Sequence, residues 1–245
     1  MTGHERLALV LRPGEGAGRT AERVDALRGW RAARVPLTER HATGLAPPGG
    51  AFDAVVLTSA AAAPALATLA DGHRALPLHA IGAATAAAAR QAGWARVRVG
   101  AEGQPPTEGH APADGAALGR ALASPGRRFL YPCAEARSPD LEAALEAGGA
   151  SVTAWPVYRT VPRSDGAAAL RALPAPPDAV LLHAPSAARA LGRIAISDRA
   201  VASLLSRARM VCLSDRIAAA LPPGVGAAHA VAARPDEAAL LALLA

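Results

Sequence analysis

The sequence predicts an α/β protein with two lobes, each built on a parallel β-sheet, and three observations indicate this. Short runs rich in Val and Leu alternate with Ala-rich helical stretches along the chain. The run DAVVLTS (residues 53–59) returns as DAVLLHA (residues 178–184), each copy an acidic turn residue, a buried strand and a helix start. Residues 6–39 are matched in the same way by residues 128–160. This order A, B, A′, B′ is a duplication with a unit far longer than a solenoid repeat, so it predicts two similar lobes.

The strands are predicted from apolar runs bounded by turn residues. In chain order they fall at residues 7–11, 34–37, 53–57, from 78, 95–99, 129–131, 152–161, 178–182 and 209–213. The run at 152–161 contains Pro156, which suits a strand that leaves one lobe and crosses to the other. The glycines of RPGEGAG (residues 12–18) do not fit G-x-G-x-x-G, so they do not indicate a dinucleotide-binding loop.

The helices are predicted from capping residues and apolar periodicity. The first carries Val24 and ends at Gly29, the second has Pro64 in its first turn, and the third closes at Gly93. The remaining helix starts are the predicted caps or openings Asp114, Ser138, Asp165, Ser214 and Asp236.

Composition restricts the class of function. The chain has 245 residues, of which 51% are hydrophobic, which is ample for two cores. All 26 basic residues are Arg and the net charge is +6, which favours anionic partners. The Arg residues are scattered and aromatic residues are only 3%, so the dense basic stripe of a nucleic-acid-binding protein is missing and no nucleic-acid partner is expected.

The sequence gives no sign of a metal, a disulfide framework or a membrane segment. Cys133 and Cys212 are isolated, without a CxxC motif or a His cluster. The first residues lead into a strand without a signal-peptide pattern, and no apolar run reaches the length of about 18 residues that a membrane span needs. We expect a cytoplasmic protein without a membrane partner.

Candidate binding residues follow the predicted strands, because ligands of parallel sheets bind beyond the carboxyl ends, where helix N-termini offer free N–H groups. Hydroxyls and guanidiniums dominate there, and paired carboxylates, a Ser/His/Asp arrangement and a metal cluster are all missing from the pattern. The sequence therefore predicts a two-lobed cleft for a polyanion with few strong catalysts. The candidates are Arg12, Thr58, Ser59, Thr85, Ser186, Ser214 and Arg216.

Each candidate also has a plain structural interpretation, and the sequence leaves both open. Ser and Thr are common at helix starts for capping alone, and the two arginines would be equally at home in solvent. His183 ends a buried strand without a triad-like partner, which favours a core histidine with satisfied ring nitrogens. Tyr158 lies on the crossing segment, where packing alone would explain it.

Six motifs in order resemble the uroporphyrinogen-III synthase family and cover almost the whole chain. They are LRP (11–13), DAVVLTS, AIGAATA (80–86), WPVYRT (155–160), DAVLLHAPSAA (178–188) and CLSDRIAAAL (212–221). The resemblance implies two flavodoxin-like lobes joined by a two-stranded linker. Lobe 1 would be residues 1–36 with 164–245, the linker strands 37–50 and 155–163, and lobe 2 residues 51–154.

The resemblance also implies an activity. The family closes the linear tetrapyrrole hydroxymethylbilane into uroporphyrinogen III, inverting the last pyrrole ring through a spiro intermediate, with loss of water and no cofactor. The family's linker tyrosine falls on Tyr158, which becomes the candidate catalytic residue, and its cleft hydroxyls fall on Ser59 and Thr85. The substrate would be a small polycarboxylate and the protein a monomer.

Two departures from the family pattern keep other classes open. Ala184 stands where the family has Ser, and Ile217 where it often has Thr, both in lobe 1. These losses favour, as the nearest alternative, a non-catalytic tetrapyrrole-binding or regulatory domain of the same fold. A binding protein with periplasmic-type lobes is a second alternative, which the missing signal peptide disfavours.

Overall fold

The fold is described from a computed structural model, which covers residues 5–100 and 115–245. None of its helices is both long and apolar enough to cross a membrane, among the residues that it describes. The strands, in chain order, are β1 Arg6–Val10, β2 Trp30–Arg34, β3 Thr38–Ala42, β4 Ala54–Leu57, β5 Leu78–Ala80, β6 Val97–Val99, β7 Arg128–Ala134, β8 Ser151–Pro162, β9 Ala179–Leu182, β10 Arg209–Cys212 and β11 Ala228–Val231.

Most of these strands are followed by helices, as expected for crossovers between parallel strands. A 3₁₀ helix, Ala60–Thr68, follows β4. The α-helices are α1 Glu15–Asp25, α2 Asp71–Arg74, α3 Ala83–Gln91, α4 Gly115–Leu122, α5 Asp140–Ala147, α6 Gly166–Arg171, α7 Pro185–Ser197, α8 Arg199–Leu205, α9 Asp215–Ala218 and α10 Glu237–Ala242.

The chain divides into two compact units. The first unit is Met1–Arg40 with Thr160–Ala245, and the second unit is His41–Arg159. The chain passes from one unit to the other along β3 and again along β8, which are neighbours in one sheet. Backbone bonds from Thr43 N–H to Val157 O and from Arg163 N–H to Leu37 O show that these two strands are antiparallel.

The first unit contains a parallel sheet in the order β11-β10-β9-β1-β2. Numbered within the unit, this is the flavodoxin order 2-1-3-4-5. One face packs against helices α6 to α9, with Leu191 and Val201 fully buried, and the other packs against α1 and α10. Burial of both faces explains why DAVLL is a continuous apolar run rather than an alternating one.

The second unit contains the sheet β3-β8-β7-β4-β5-β6, in which the pairs from β8 to β6 are parallel. Its core also lies on both faces, against the 3₁₀ helix and α3 on one side and α4 and α5 on the other. Helices α4 and α5 approach closely at Gly119, where an added Cβ would lie 2.7 Å from the Cβ of Ala144. Glycine at this position therefore sets the spacing of the two helices.

An aspartate at the start of each central strand bonds to the neighbouring strand. Asp178 Oδ2 accepts the Leu7 N–H at 2.7 Å, while the Asp178 N–H donates to Leu7 O at 2.8 Å. Asp53 repeats both bonds with Arg128, at 2.7 and 2.8 Å. The acidic residue that opens each DAV motif is thus a pairing residue in addition to a turn residue.

The fold class predicted from the sequence is confirmed, and several local predictions are wrong. The second strand occupies Trp30–Arg34 rather than 34–37, because it pairs with β1 from its first residue, immediately after the left-handed turn at Gly29 (φ 78°). Pro64 lies in the middle of a 3₁₀ helix instead of the first turn of an α-helix. The short edge strand β11 was not predicted, because its sequence AHAV is partly exposed and lacks the Val- and Leu-rich run of the central strands.

One helix start differs from the prediction. Pro139, not Ser138, is the cap of α5, and the Ser138 hydroxyl bonds to the carboxylate of Asp140. Asp236 does cap α10, its carboxylate accepting the Ala239 N–H. The predicted helix start at Asp114 lies outside the described residues, and α4 is described from Gly115.

Asp178→Ala should destabilise the first unit, because it leaves the N–H of the buried Leu7 without an acceptor. We expect a loss of about 1.5–3 kcal/mol in the free energy of unfolding, as for a hydrogen bond to a charged group. Urea denaturation measures the loss, and Asp178→Asn is the matched control, because its amide oxygen still accepts the bond. An Ala variant as stable as the wild type would show that the carboxylate is not needed for pairing.

Candidate functional site

Each sheet has one place where the strand order reverses, and this is where open α/β sheets bind ligands. In the first unit it lies between β1 and β9, and in the second unit between β4 and β7. The residues that follow these strands at their carboxyl ends are therefore the candidates in each unit.

In the second unit, two hydrogen-bonded pairs at the end of β4, Thr58 with Tyr131 and Ser59 with Tyr158, form what we call the hydroxyl cluster. Thr58 Oγ1 and Tyr131 Oη are 2.7 Å apart. The Tyr158 hydroxyl donates to Ser59 Oγ at 3.3 Å, and Ser59 Oγ also accepts the Ala61 N–H at 3.2 Å. Ser59 is thus both a helix cap and a partner of Tyr158, so its structural and functional interpretations coexist.

An irregularity in the pairing of β7 with β8 sets the direction of the Tyr158 side chain. Strand β8 pairs with β7 residue by residue as far as Pro156, and the register then shifts so that Tyr158 lies opposite Ala134. A bulge of this kind changes the direction of the side chain that follows it. Tyr158 is half-buried against the core of the second unit, so packing and hydrogen bonding both hold it.

Tyr131 was not singled out from the sequence, although it is one of only two tyrosines. It is 3% exposed, and burial raises its pKa to about 12, against the opposing effect of its bond to Thr58. The guanidinium of Arg137 lies 5.9 Å from the centre of its ring and is itself held by Glu142 at 2.6 Å. The sequence marks Tyr131 as the end of a predicted strand, residues 129–131, and gives no sign that it lies beside Thr58.

Thr85 lies in the first turn of α3, as predicted, and is only 6% exposed. The structure describes no hydrogen bond between it and the hydroxyl cluster. Its burial supports the packing interpretation, and its role in ligand binding stays a prediction.

In the first unit, Glu237 gathers four side chains into what we call the Glu237 cluster. Arg12, two residues after the end of β1, donates to Thr20 Oγ1 at 3.3 Å and lies 3.7 Å from Glu237. Thr20 donates to Glu237, and Arg23 lies 3.6 Å from its carboxylate. His183, directly after β9, lies 3.8 Å from Glu237. Arg12 is therefore tied to an internal carboxylate, and its side chain is 30% exposed.

The pKa values of two members of this cluster, Glu237 and His183, are lowered for different reasons. The pKa of Glu237 is lowered to about 2 by its interactions with His183, Thr20 and Arg12. Burial lowers the pKa of His183, whose side chain is 7% exposed. Because 3.8 Å is too long for a hydrogen bond, neither ring nitrogen has a partner among the described residues. The expectation of a core histidine with satisfied ring nitrogens is thus wrong.

Gly16 explains the glycine-rich turn after β1. A Cβ at this position would lie 2.8 Å from three guanidinium atoms of Arg12. The glycine gives Arg12 room against the first turn of α1. The turn therefore accommodates a guanidinium, in agreement with the lack of a dinucleotide-binding pattern.

Ser186 and Ser214 follow β9 and β10 at the starts of α7 and α9, and both are partly exposed. Neither hydroxyl caps its helix, since Ala184 occupies the cap position of α7 and Ser214 makes no side-chain cap bond. Arg216 is exposed in α9. Ile217, at a family Thr position, is 4% exposed in the core, so this departure is a matter of packing.

Comparison with known proteins gives one family. The model of the family described as Uroporphyrinogen-III synthase HemD matches residues 20–242. No curated protein matches the sequence.

Two solved structures have the same fold. A uroporphyrinogen-III synthetase from Helicobacter pylori 26695 has 16% identity and a TM-score of 0.61, with 98% of each chain covered. A mutant uroporphyrinogen III synthase from the extremely thermophilic bacterium Thermus thermophilus has 19% identity and a TM-score of 0.53, with 97% of each chain covered. At these identities the likeness establishes the fold.

Stability should fall as pH falls through about 6.5, because His79 and His183 are both buried with a lowered pKa. The unfolded chain binds their protons near the ordinary pKa of about 6.5, before the folded chain does, at up to about 1.4 kcal/mol per pH unit for each histidine. Glu237 loses its contribution only below its unfolded value, as pH falls from 4.5 towards about 2. Urea denaturation between about pH 5.5 and 7.5 therefore isolates the histidines.

The variant that checks this is His183→Leu, which removes one of the two protonation steps. Its free energy of unfolding should depend less on pH than that of the wild type over the same range. An unchanged dependence would mean that the pKa of His183 is the same in the folded and in the unfolded chain.

Proposed function

The chain belongs to the uroporphyrinogen-III synthase family, and we propose on this basis that it closes hydroxymethylbilane into uroporphyrinogen III, inverting the last pyrrole ring and releasing water. The enzymes of this family are cyclising lyases of tetrapyrrole biosynthesis, and this chain is one of them. The observation that carries the proposal is the family match, which extends over residues 20–242.

The substrate is a small linear tetrapyrrole with a carboxylate on every acetate and propionate arm. The second unit offers Thr58 and Ser59, and Thr85 in the first turn of α3, and the first unit offers Arg12, Ser186 and Ser214. Hydroxyls and guanidiniums are donors that suit carboxylates, and the net charge of +6 attracts a polyanion. These six residues are our proposed substrate-binding set.

We propose Tyr158 as the general acid. The pyrrole nitrogen assists departure of the terminal hydroxyl, and the phenol supplies the proton with which it leaves as water. The resulting carbocation is attacked by the substituted carbon of the last ring, which gives the spiro intermediate. Opening and re-closure of this intermediate inverts the ring, and the final ring carbon loses its proton, which restores the phenol. The present bond from Tyr158 to Ser59 supports the role, because it shows the phenol directed at an oxygen acceptor beside the switch point.

The lobes and the cellular setting complete the proposal. Residues 1–36 with 164–245 and residues 51–154 act as two lobes, with 37–50 and 155–163 as linker strands, and the chain's division at Arg40 and Arg159 supports this. We propose a monomer that acts in the cytoplasm, without nucleic-acid or membrane partners. Analytical ultracentrifugation of the purified chain tests the monomer.

The activity is tested with freshly made hydroxymethylbilane. The product is oxidised and the porphyrin isomers are separated by chromatography. We expect an excess of isomer III, because the substrate left alone closes without inversion and gives isomer I. Isomer I at the rate of buffer alone would contradict the proposal and support a non-catalytic tetrapyrrole-binding domain.

Tyr158→Phe keeps the ring and its packing but deletes the phenolic proton. A positioned general acid contributes about 10²–10⁴-fold, and we expect the low end or below, a loss of roughly ten- to a hundredfold, since this leaving group departs readily. Isomer III should remain the enzymic product. Tyr158→Ala should lose more, because it also removes packing against the core. A Phe variant with the wild-type rate would reduce Tyr158 to a packing residue.

A further inference from the structure

Both tyrosines of the chain bond to consecutive residues of one turn. Tyr158 bonds to Ser59, and Tyr131 bonds to Thr58, the first residue after β4. Tyr158 has a proposed role in the reaction, whereas Tyr131 has none. Tyr131 is 3% exposed, so it does not reach a substrate itself.

The direction of the Tyr131–Thr58 hydrogen bond follows from burial. Among the described residues, Thr58 is the hydrogen-bond partner of the Tyr131 hydroxyl, and the phenol is protonated at neutral pH. If Thr58 donated, the phenolic proton would be buried without an acceptor, which is destabilising. Tyr131 therefore donates, and the proton of Thr58 is left to point elsewhere.

Sheet packing does not demand a tyrosine at this position. The two sheets can be aligned on their equivalent bonds, Asp53 with Arg128 and Asp178 with Leu7. Three residues after Arg128 is Tyr131, and three residues after Leu7 is Val10, so these two residues correspond. Val10 is fully buried, so an apolar side chain fills the same place in the other sheet. The phenolic hydroxyl is thus an addition specific to the second unit.

We propose that Tyr131 is a positioning residue that makes Thr58 a hydrogen-bond donor to a substrate carboxylate. Ser59 is in the same state, because its oxygen accepts from both Ala61 and Tyr158 and its own proton remains to be donated. Thr58 is partly exposed at the carboxyl end of β4, so the proton that this bond leaves free can be donated to a carboxylate oxygen bound there. The inference rests on the proposed function, since it takes the ligand to be a polycarboxylate.

A double-mutant cycle tests whether Tyr131 acts through Thr58. Thr58→Val keeps the shape and removes the donor, and should raise KM about tenfold, the value of one hydrogen bond to a charged group, with a smaller effect on kcat. Tyr131→Phe should raise KM about threefold, because Thr58 regains the freedom to donate to other acceptors. The double variant should have the KM of Thr58→Val alone, because the phenol has nothing left to direct.

Urea denaturation of the same variants should give a different pattern from KM, and this separates an effect on positioning from an effect on stability. Thr58→Val leaves the phenol unpaired, so its urea midpoint should fall, and adding Tyr131→Phe should restore most of that loss. Effects on KM that follow the urea midpoints, or that simply add in the double variant, would overturn the proposal.

The same four proteins are titrated with uroporphyrin, followed by its fluorescence. If the wild type gives only isomer I but binds uroporphyrin, the proposed function has failed. The double-mutant cycle, measured as the Kd for uroporphyrin, then still tests the inference. Coupling of the two residues in Kd supports it, and additive effects overturn it. A wild type that neither produces isomer III nor binds uroporphyrin would overturn both.

Discussion

Each sheet depends on one carboxylate that joins strands far apart in the chain. Asp178 bonds to Leu7 across 171 residues, and Asp53 bonds to Arg128 across 75 residues. Pairing two strands that are far apart in the chain costs loop-closure entropy. A hydrogen bond to a charged acceptor at the first residues of the paired strands offsets part of this cost. These same pairs, β9 with β1 and β4 with β7, border the points where strand order reverses. The constraint that completes the sheets therefore also creates the candidate sites.

The two sheets have the same spatial order of strands, but the first strand along the chain occupies a different place in each. The first reads β11-β10-β9-β1-β2, and the duplication maps these strands in turn onto β6-β5-β4-β7-β8 of the second. Counted along the chain within each unit, one order is 2-1-3-4-5 and the other 3-2-1-4-5, although the spatial order is the same. The early half of each repeat pairs with the late half of the other. This exchange explains how a duplication in the order A, B, A′, B′ gives units that each mix both copies.

The sequence predicted local secondary structure, but it did not predict contacts between side chains that are far apart in the chain. Strand–helix alternation, the repeat and the position of Ser59 at a helix start follow from short-range patterns, and each was confirmed. The Tyr131–Thr58 bond and the Glu237 cluster could not be predicted, because their members are separated by 73 and by up to 225 residues (237 − 12). Strand β2 was misplaced because its residues, Trp30–Arg34, are only partly buried and carry two arginines. The buried core signal that identifies β4 and β9 is missing there.

The equivalent points of the two sheets differ in the kind of donor that they present. Thr58 corresponds to His183, so the second unit has neutral hydroxyls where the first has a buried histidine beside Glu237, Arg12 and Arg23. Glu237 offsets part of the arginine charge and holds Arg12 in place through Thr20. Attraction by the partly exposed arginines weakens with salt, whereas directed hydroxyl bonds depend on geometry and little on ionic strength. The first unit thus presents charged donors at its switch point, and the second presents neutral hydroxyl donors at the equivalent point.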